Sequence, residues 1–154
     1  MTVAAHYRRS ERGIAIVEFA IAAPMLLLLL LATAELGRML SQYDTLNKAV
    51  RDGARYLAGN ALAGTTGVVV ITPTLQTATV NLVVTGNTAG TGGALLPGLT
   101  ASNVTVSGLA SGYVSVAATY SYVPMVGARL PTFGLSTPIN VAINLTATEV
   151  MRPL

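Results

Sequence analysis

The chain of 154 residues contains no cysteine, which excludes disulfides, thiolate metal sites and a lipid-bearing cysteine; any folded part must hold together by packing alone. It has a single histidine, His6, and after Asp52 its only acidic side chain is Glu149. Catalysis needs groups that exchange protons or form bonds, and a serine or threonine with no histidine, lysine or carboxylate beside it is not an activated nucleophile. The composition therefore argues against an enzyme. Residues 86–93 form a glycine-rich loop, but it lacks the lysine and Ser/Thr of a phosphate cradle, and no cofactor is expected. Charge is scarce too: 10% of residues are charged, against about 25% in ordinary soluble domains. Of the formal charge of +3, Arg8, Arg9 and Arg12 with Glu11 supply +2, and no charged residue lies between Arg55 and Arg129. A nucleic-acid partner needs a basic stripe that this distribution does not contain.

Apolar sequence takes the place of charge. From Ile14 to Ala34 the only ionisable side chain is Glu18, and a helix over that run spans about 31 Å, enough for the hydrocarbon core of a bilayer. No second run approaches the roughly 18 residues another span needs, so a single pass is expected. The arginines of residues 1–13 form a basic leader that holds its end in the cytoplasm and sends the rest across. Arg38, Lys48, Arg51 and Arg55 oppose that orientation from the far side, less tightly clustered. A carboxylate inside such a run costs on the order of 3 kcal/mol near the bilayer centre, so Glu18 is kept for a partner.

Beyond Ala34 apolar residues recur at steps of three and four, at Leu36, Leu40, Tyr43, Leu46, Val50, Ala54 and Leu57, with Asp44 and Lys48 paired on the polar face and Gly59-Asn60 as a stop. The expected helix, a transmembrane part over 14–34 and an amphipathic continuation over 35–59, runs for roughly 45 residues or about 67 Å. Residues 60–154 read as an extracytoplasmic β-rich domain. Period-two alternation predicts strands at 68–71, 79–84, 103–106, 114–122 and 139–148. The fold class is α+β: the long helix, its stripe Leu40, Tyr43, Val50, Ala54 and Leu57 inward, packs on a small antiparallel sheet of about four or five strands. Asn103-Val104-Thr105 and Asn144-Leu145-Thr146 match the glycosylation sequon but carry no functional weight in a threonine-rich strand region.

The N-terminus admits three readings. An uncleaved signal anchor explains orientation but not Gly13. A secretory signal peptide, cut after Ala32-Thr33-Ala34, has its basic and apolar regions in order, but Glu18 sits where the apolar core begins. A leader removed between Gly13 and Ile14 leaves a new ammonium on Ile14, one helical turn from the Glu18 carboxylate in its own or an adjacent helix. Pro24 removes the hydrogen bond to Ala20 C=O, and its helix kink is as compatible with plain tolerance in a membrane as with a role in bending.

Gly13 followed by Ile14-Ala15-Ile16-Val17-Glu18-Phe19 resembles prepilin sites of tight-adherence (Tad, Flp) pilus systems. Pro24 before a leucine run, Glu35-Leu36-Gly37-Arg38, Arg51-Asp52-Gly53-Ala54-Arg55-Tyr56 and Val150-Met151-Arg152 are similar to the TadE-like pseudopilins. The resemblance implies cleavage at Gly13 and Ile14, with Glu18 and Phe19 as recognition and assembly residues. It implies a minor pilin of the bacterial inner membrane with its C-terminal domain in the periplasm, working in pilus assembly or initiation and surface adhesion. Its implied partners are the prepilin peptidase, the major Flp pilin, other minor pilins and the inner-membrane assembly platform, and the mature protein enters the extracellular pilus. The rival is a binding or adhesive module, secreted after cleavage at Ala34 or kept anchored in the membrane.

Overall fold

A computed structural model describes residues 7–64, 67–125, 127, 129–130, 132, 134 and 136–154, the side chains of 7–12 and 130 excepted. His6 and the start of the leader lie outside the described residues. The first element, α1 (Tyr7–Asn60), is one helix of 54 residues. Alanine and leucine, both strong helix formers, dominate its first half, and Pro24 is accommodated inside it. The Thr33 hydroxyl, isolated in the apolar run, donates to Leu29 O (3.0 Å) and Leu30 O (2.9 Å) and so brings no unsatisfied group. Further on, Lys48 Nζ meets Asp44 Oδ2 at 2.7 Å as expected, on a face too exposed for more than a few tenths of a kcal/mol. The helix stops at Gly59-Asn60, where Asn60 Nδ2 donates to Tyr56 O and Leu154 N to Ala58 O, satisfying carbonyls at the helix end.

Two compact units divide the chain: the described parts of 1–37 and 124–141 form one, 38–123 and 142–154 the other, and α1 contributes to both. In the second unit α1 is followed by α2 (Pro73–Thr85), β1 (Val104–Gly108), β2 (Val114–Ser121) and β5 (Asn144–Met151). The first unit holds the pair β3 (Arg129–Leu130) and β4 (Ile139–Asn140). The main sheet is antiparallel in the order β1-β2-β5, with Val104 opposite Ala118 on one side of β2 and Val116 opposite Glu149 on the other.

Strand alternation is read correctly on β2, whose Val114, Val116, Ala118 and Tyr120 are all buried, as is Tyr122 just beyond it. The inward face of α1 supplies Leu46, Val50, Ala54 and Leu57 to the same core. Leu40 and Tyr43, expected on that stripe, are exposed. At about 100° per residue they lie roughly 100° and 40° round from the line through Met39, Leu46 and Leu57.

Residues 79–84 are not a strand but the second half of α2. Thr72 caps that helix by accepting from Leu75 N (3.2 Å), Pro73 opens it, and Gly86 closes it in the left-handed region with φ 79° and its N–H on Leu82 O. The alternating Val80, Leu82 and Val84 mislead, because the buried residues are Leu75, Thr79 and Val83, spaced four apart. Thr79 enters the core because its hydroxyl donates to Leu75 O at 2.8 Å. Residues 68–71 make only an isolated bridge, Leu62 to Val69. The single strand expected over 139–148 is two: β4 pairs with β3, and β5 begins at Asn144. The antiparallel strands thus form a sheet of three and a separate pair rather than one sheet of four or five.

Candidate membrane and assembly site

The first half of α1 turns its apolar side chains outward. No residue of its most apolar stretch is buried in the protein, which separates it from the core helix of a soluble domain, and by length and composition it is able to cross a membrane. Ile14, Ile16, Val17, Phe19 and Ile21 are all exposed, as are Leu26, Leu27, Leu29 and Leu30. In water such a surface is untenable, and lipid or partner helices must cover it.

Gly13, Ile14, Val17, Glu18 and Ile21 line one shallow groove along this helix, so the glycine, the isoleucine and the carboxylate share a face. Phe19 lies on a strip on the other side of the helix, with Ala23, Leu26, Leu27 and Leu30. The two residues expected to act in recognition therefore point in directions about 100° apart. Among the described residues Glu18 has no ion-pair partner. Pro24 is half-buried.

Gly13 is the telling member of the groove. A Cβ at this position meets nothing within 4 Å and the residue has no left-handed φ, so neither space nor backbone requires a glycine. Inside a helix, glycine costs about 1 kcal/mol relative to alanine. Gly53 is the contrast, since a Cβ there stands 2.5 Å from Val83 Cγ2 and its glycine is what lets α1 approach α2.

A second carboxylate stands where the apolar run ends. Glu35 is 2% exposed, and its Oε1 and Oε2 accept from Met125 N at 3.1 and 3.3 Å. The sequence marks Glu35 as the residue after Ala32-Thr33-Ala34 and as the start of Glu35-Leu36-Gly37-Arg38, and neither pattern points to a contact with Met125. The bond from Ala34 to Glu35 lies inside α1. In the second unit, Arg51 Nε and Nη2 both lie 3.2 Å from Glu149 Oε1, joining α1 to β5 across 98 positions of sequence. Among the described residues no group of three or more His, Cys, Asp or Glu is placed to hold a metal ion.

A long apolar helix continued into a small α+β unit with an antiparallel sheet is a pilin-like architecture, and the helix is long and apolar enough to cross a membrane. The comparison with protein families sharpens this class: residues 13–55 match the model of the family described as TadE-like protein. The match starts on Gly13 and takes in Ile14, Glu18, Phe19, Pro24, Glu35 and Gly53, whereas residues 150–152 lie outside it. No curated protein and no solved structure matches the chain.

Proposed function

We propose that the protein is a minor pilin of a tight-adherence pilus, processed between Gly13 and Ile14 on the cytoplasmic side and retained in the inner membrane by residues 14–34 until it is assembled. It is a structural subunit, not an enzyme. The observation that carries this reading is the TadE-like match, which opens on Gly13, with Ile14 and Glu18 on the same face of the helix. Packing does not require the glycine, and a peptidase that must unwind and enter the helix gives it a use.

Cleavage removes three arginines and one glutamate, so the formal charge falls from +3 to +1. The arginines that tether the helix end to anionic headgroups leave together. The new Ile14 ammonium lies on the face of Glu18 and pairs with that carboxylate, in its own helix or an adjacent one; neither charge is then uncompensated in lipid. The exposed strip around Phe19 and Leu26 is the surface for the major Flp pilin, other minor pilins and the assembly platform, with the second unit in the periplasm.

Mass spectrometry of the mature N-terminus decides among the three readings. Ile14 as first residue supports the pilin, Glu35 supports a secreted adhesive module, and an intact leader supports a plain anchor. The helical Ala34-Glu35 junction and the buried Glu35 count against the cut at Ala34. Gly13→Leu is expected to block processing and leave the helix content unchanged, and normal cleavage of that variant would remove the basis of the proposal.

A further inference from the structure

We propose that the described residues of the segment 124–141, the pair β3–β4 among them, lie in the headgroup layer where α1 leaves the bilayer, as an interfacial collar that binds anionic lipid. This rests on the reading of residues 14–34 as a span.

Three observations carry it. The segment belongs to the same compact unit as the apolar half of α1, not to the unit with the three-stranded sheet. Its start is fixed in depth, because Met125 N is bound by the buried carboxylate of Glu35, one residue past the end of the apolar run. Its composition suits an interface: Met125 is 66% and Ile139 50% exposed, and beside them stands Arg129, the only charged residue between Arg55 and Glu149.

Each property has a physical consequence. A short strand pair such as Arg129–Leu130 with Ile139–Asn140 suits the polar headgroup layer and not the hydrocarbon core, which only helices and closed barrels cross. Apolar side chains then enter the acyl boundary as those of interfacial anchors do. Arginine presents a planar fork that matches phosphate oxygens, and a basic group near an anionic surface contributes about a fivefold gain in binding. A lone charge within a long neutral sequence, located at the level of the phosphates, has a place where its cost becomes a gain.

The cysteine-free chain makes the test direct. Single cysteines at Met125, Ile139, Leu29 and Ala89, each carrying an environment-sensitive fluorophore, are placed in the full-length protein in phosphatidylcholine vesicles with and without phosphatidylglycerol. Collisional quenching by aqueous iodide and by lipid nitroxides reads depth. Leu29 reports the span, and Ala89, in an exposed loop of the second unit, reports water. The expected result is loss of iodide quenching and strong shallow-nitroxide quenching at 125 and 139. Arg129→Gln should lower the insertion constant about fivefold on anionic vesicles and leave it unchanged on neutral ones. Leu29 in lipid with 125 and 139 as wet as 89 overturns the collar while the anchor stands, whereas all four in water overturns the anchor itself. Protection from iodide without nitroxide quenching means that protein covers the segment and also overturns the proposal, and an unchanged constant for Arg129→Gln removes its assignment to lipid.

Discussion

At Gly53 α1 comes close to α2, and Gly53→Ala tests whether that approach is as tight as the structure makes it. The added Cβ stands 2.5 Å from Val83 Cγ2 and 3.7 Å from both Thr79 Cγ2 and Thr79 O. Carbon atoms pack best at about 3.5–4.0 Å, so the two helices must part by roughly 1 Å, or Val83 must turn. Val83 and Thr79 are both fully buried, and the branched valine has few χ1 wells open to it in a helix. Overpacking of this kind costs about 1–3 kcal/mol. Alanine recovers about 1 kcal/mol of helix propensity, leaving a net destabilisation of about 1 kcal/mol. Gly37 and Gly59, with nothing within 4 Å of a Cβ, are controls in which alanine should be neutral or stabilising by up to about 1 kcal/mol. Adding Val83→Ala to Gly53→Ala should relieve the clash and give a favourable coupling of about 1 kcal/mol. Urea unfolding of the full chain in detergent micelles, followed by circular dichroism, measures these four variants and Val83→Ala alone, which completes the cycle. If Gly53→Ala raised stability as much as Gly59→Ala does, the close approach would not exist.

Two other perturbations probe the charged and titrating groups. Glu18→Gln is expected to leave membrane insertion and processing intact but to weaken assembly, because the Ile14 ammonium loses a partner whose removal costs several kcal/mol; undiminished pilus output from this mutant would refute the pairing. Burial raises the Tyr120 hydroxyl above its usual 10.0, against smaller lowering effects from a Val123 backbone hydrogen bond and the Arg38 charge. The fold therefore favours the protonated phenol, and its contribution is complete below pH 10 and declines as pH climbs beyond that value. Tyr120→Phe should flatten that decline and cost about 1 kcal/mol at neutral pH, since Tyr120 Oη lies 3.0 Å from Gln42 Oε1 and 3.1 Å from Pro97 O. An identical alkaline profile for the two proteins, by thermal denaturation, would clear Tyr120 of the effect.

What was legible in the sequence is what local pattern determines. The long helix showed itself through composition, then periodicity, then a Gly59-Asn60 stop, and α1 ends there. The alternation of Val114, Val116, Ala118 and Tyr120 fixed which face of β2 is inward. The strand assignment at 79–84 failed because β-branched residues alternated by chance within a capped helix, and the Thr72-Pro73 start and Gly86 end outweighed their propensity. Leu40 and Tyr43 were misplaced because a stripe of three- and four-residue steps covers a wide arc, and at this level of the helix the core takes only the side through Met39 and Leu46. Of the candidate site, Gly13, Ile14 and Glu18 do fall on one face, as spacing dictates. The Glu35 contact was out of reach, since it joins positions 90 apart in sequence.

Strands β2 and β5 are hydrogen-bonded neighbours, with Ser121 opposite Asn144, although the chain leaves their unit for residues 124–141 between them. Their register is set by their own facing residues and not by a tight turn. The closure entropy of such a connection grows only slowly with length, by about 0.6 kcal/mol for each doubling. The detour can therefore be lengthened, shortened or exchanged for another with little penalty to the sheet that carries it. The pairing of β2 with β5 acts as a socket, and what is plugged into it is free to vary.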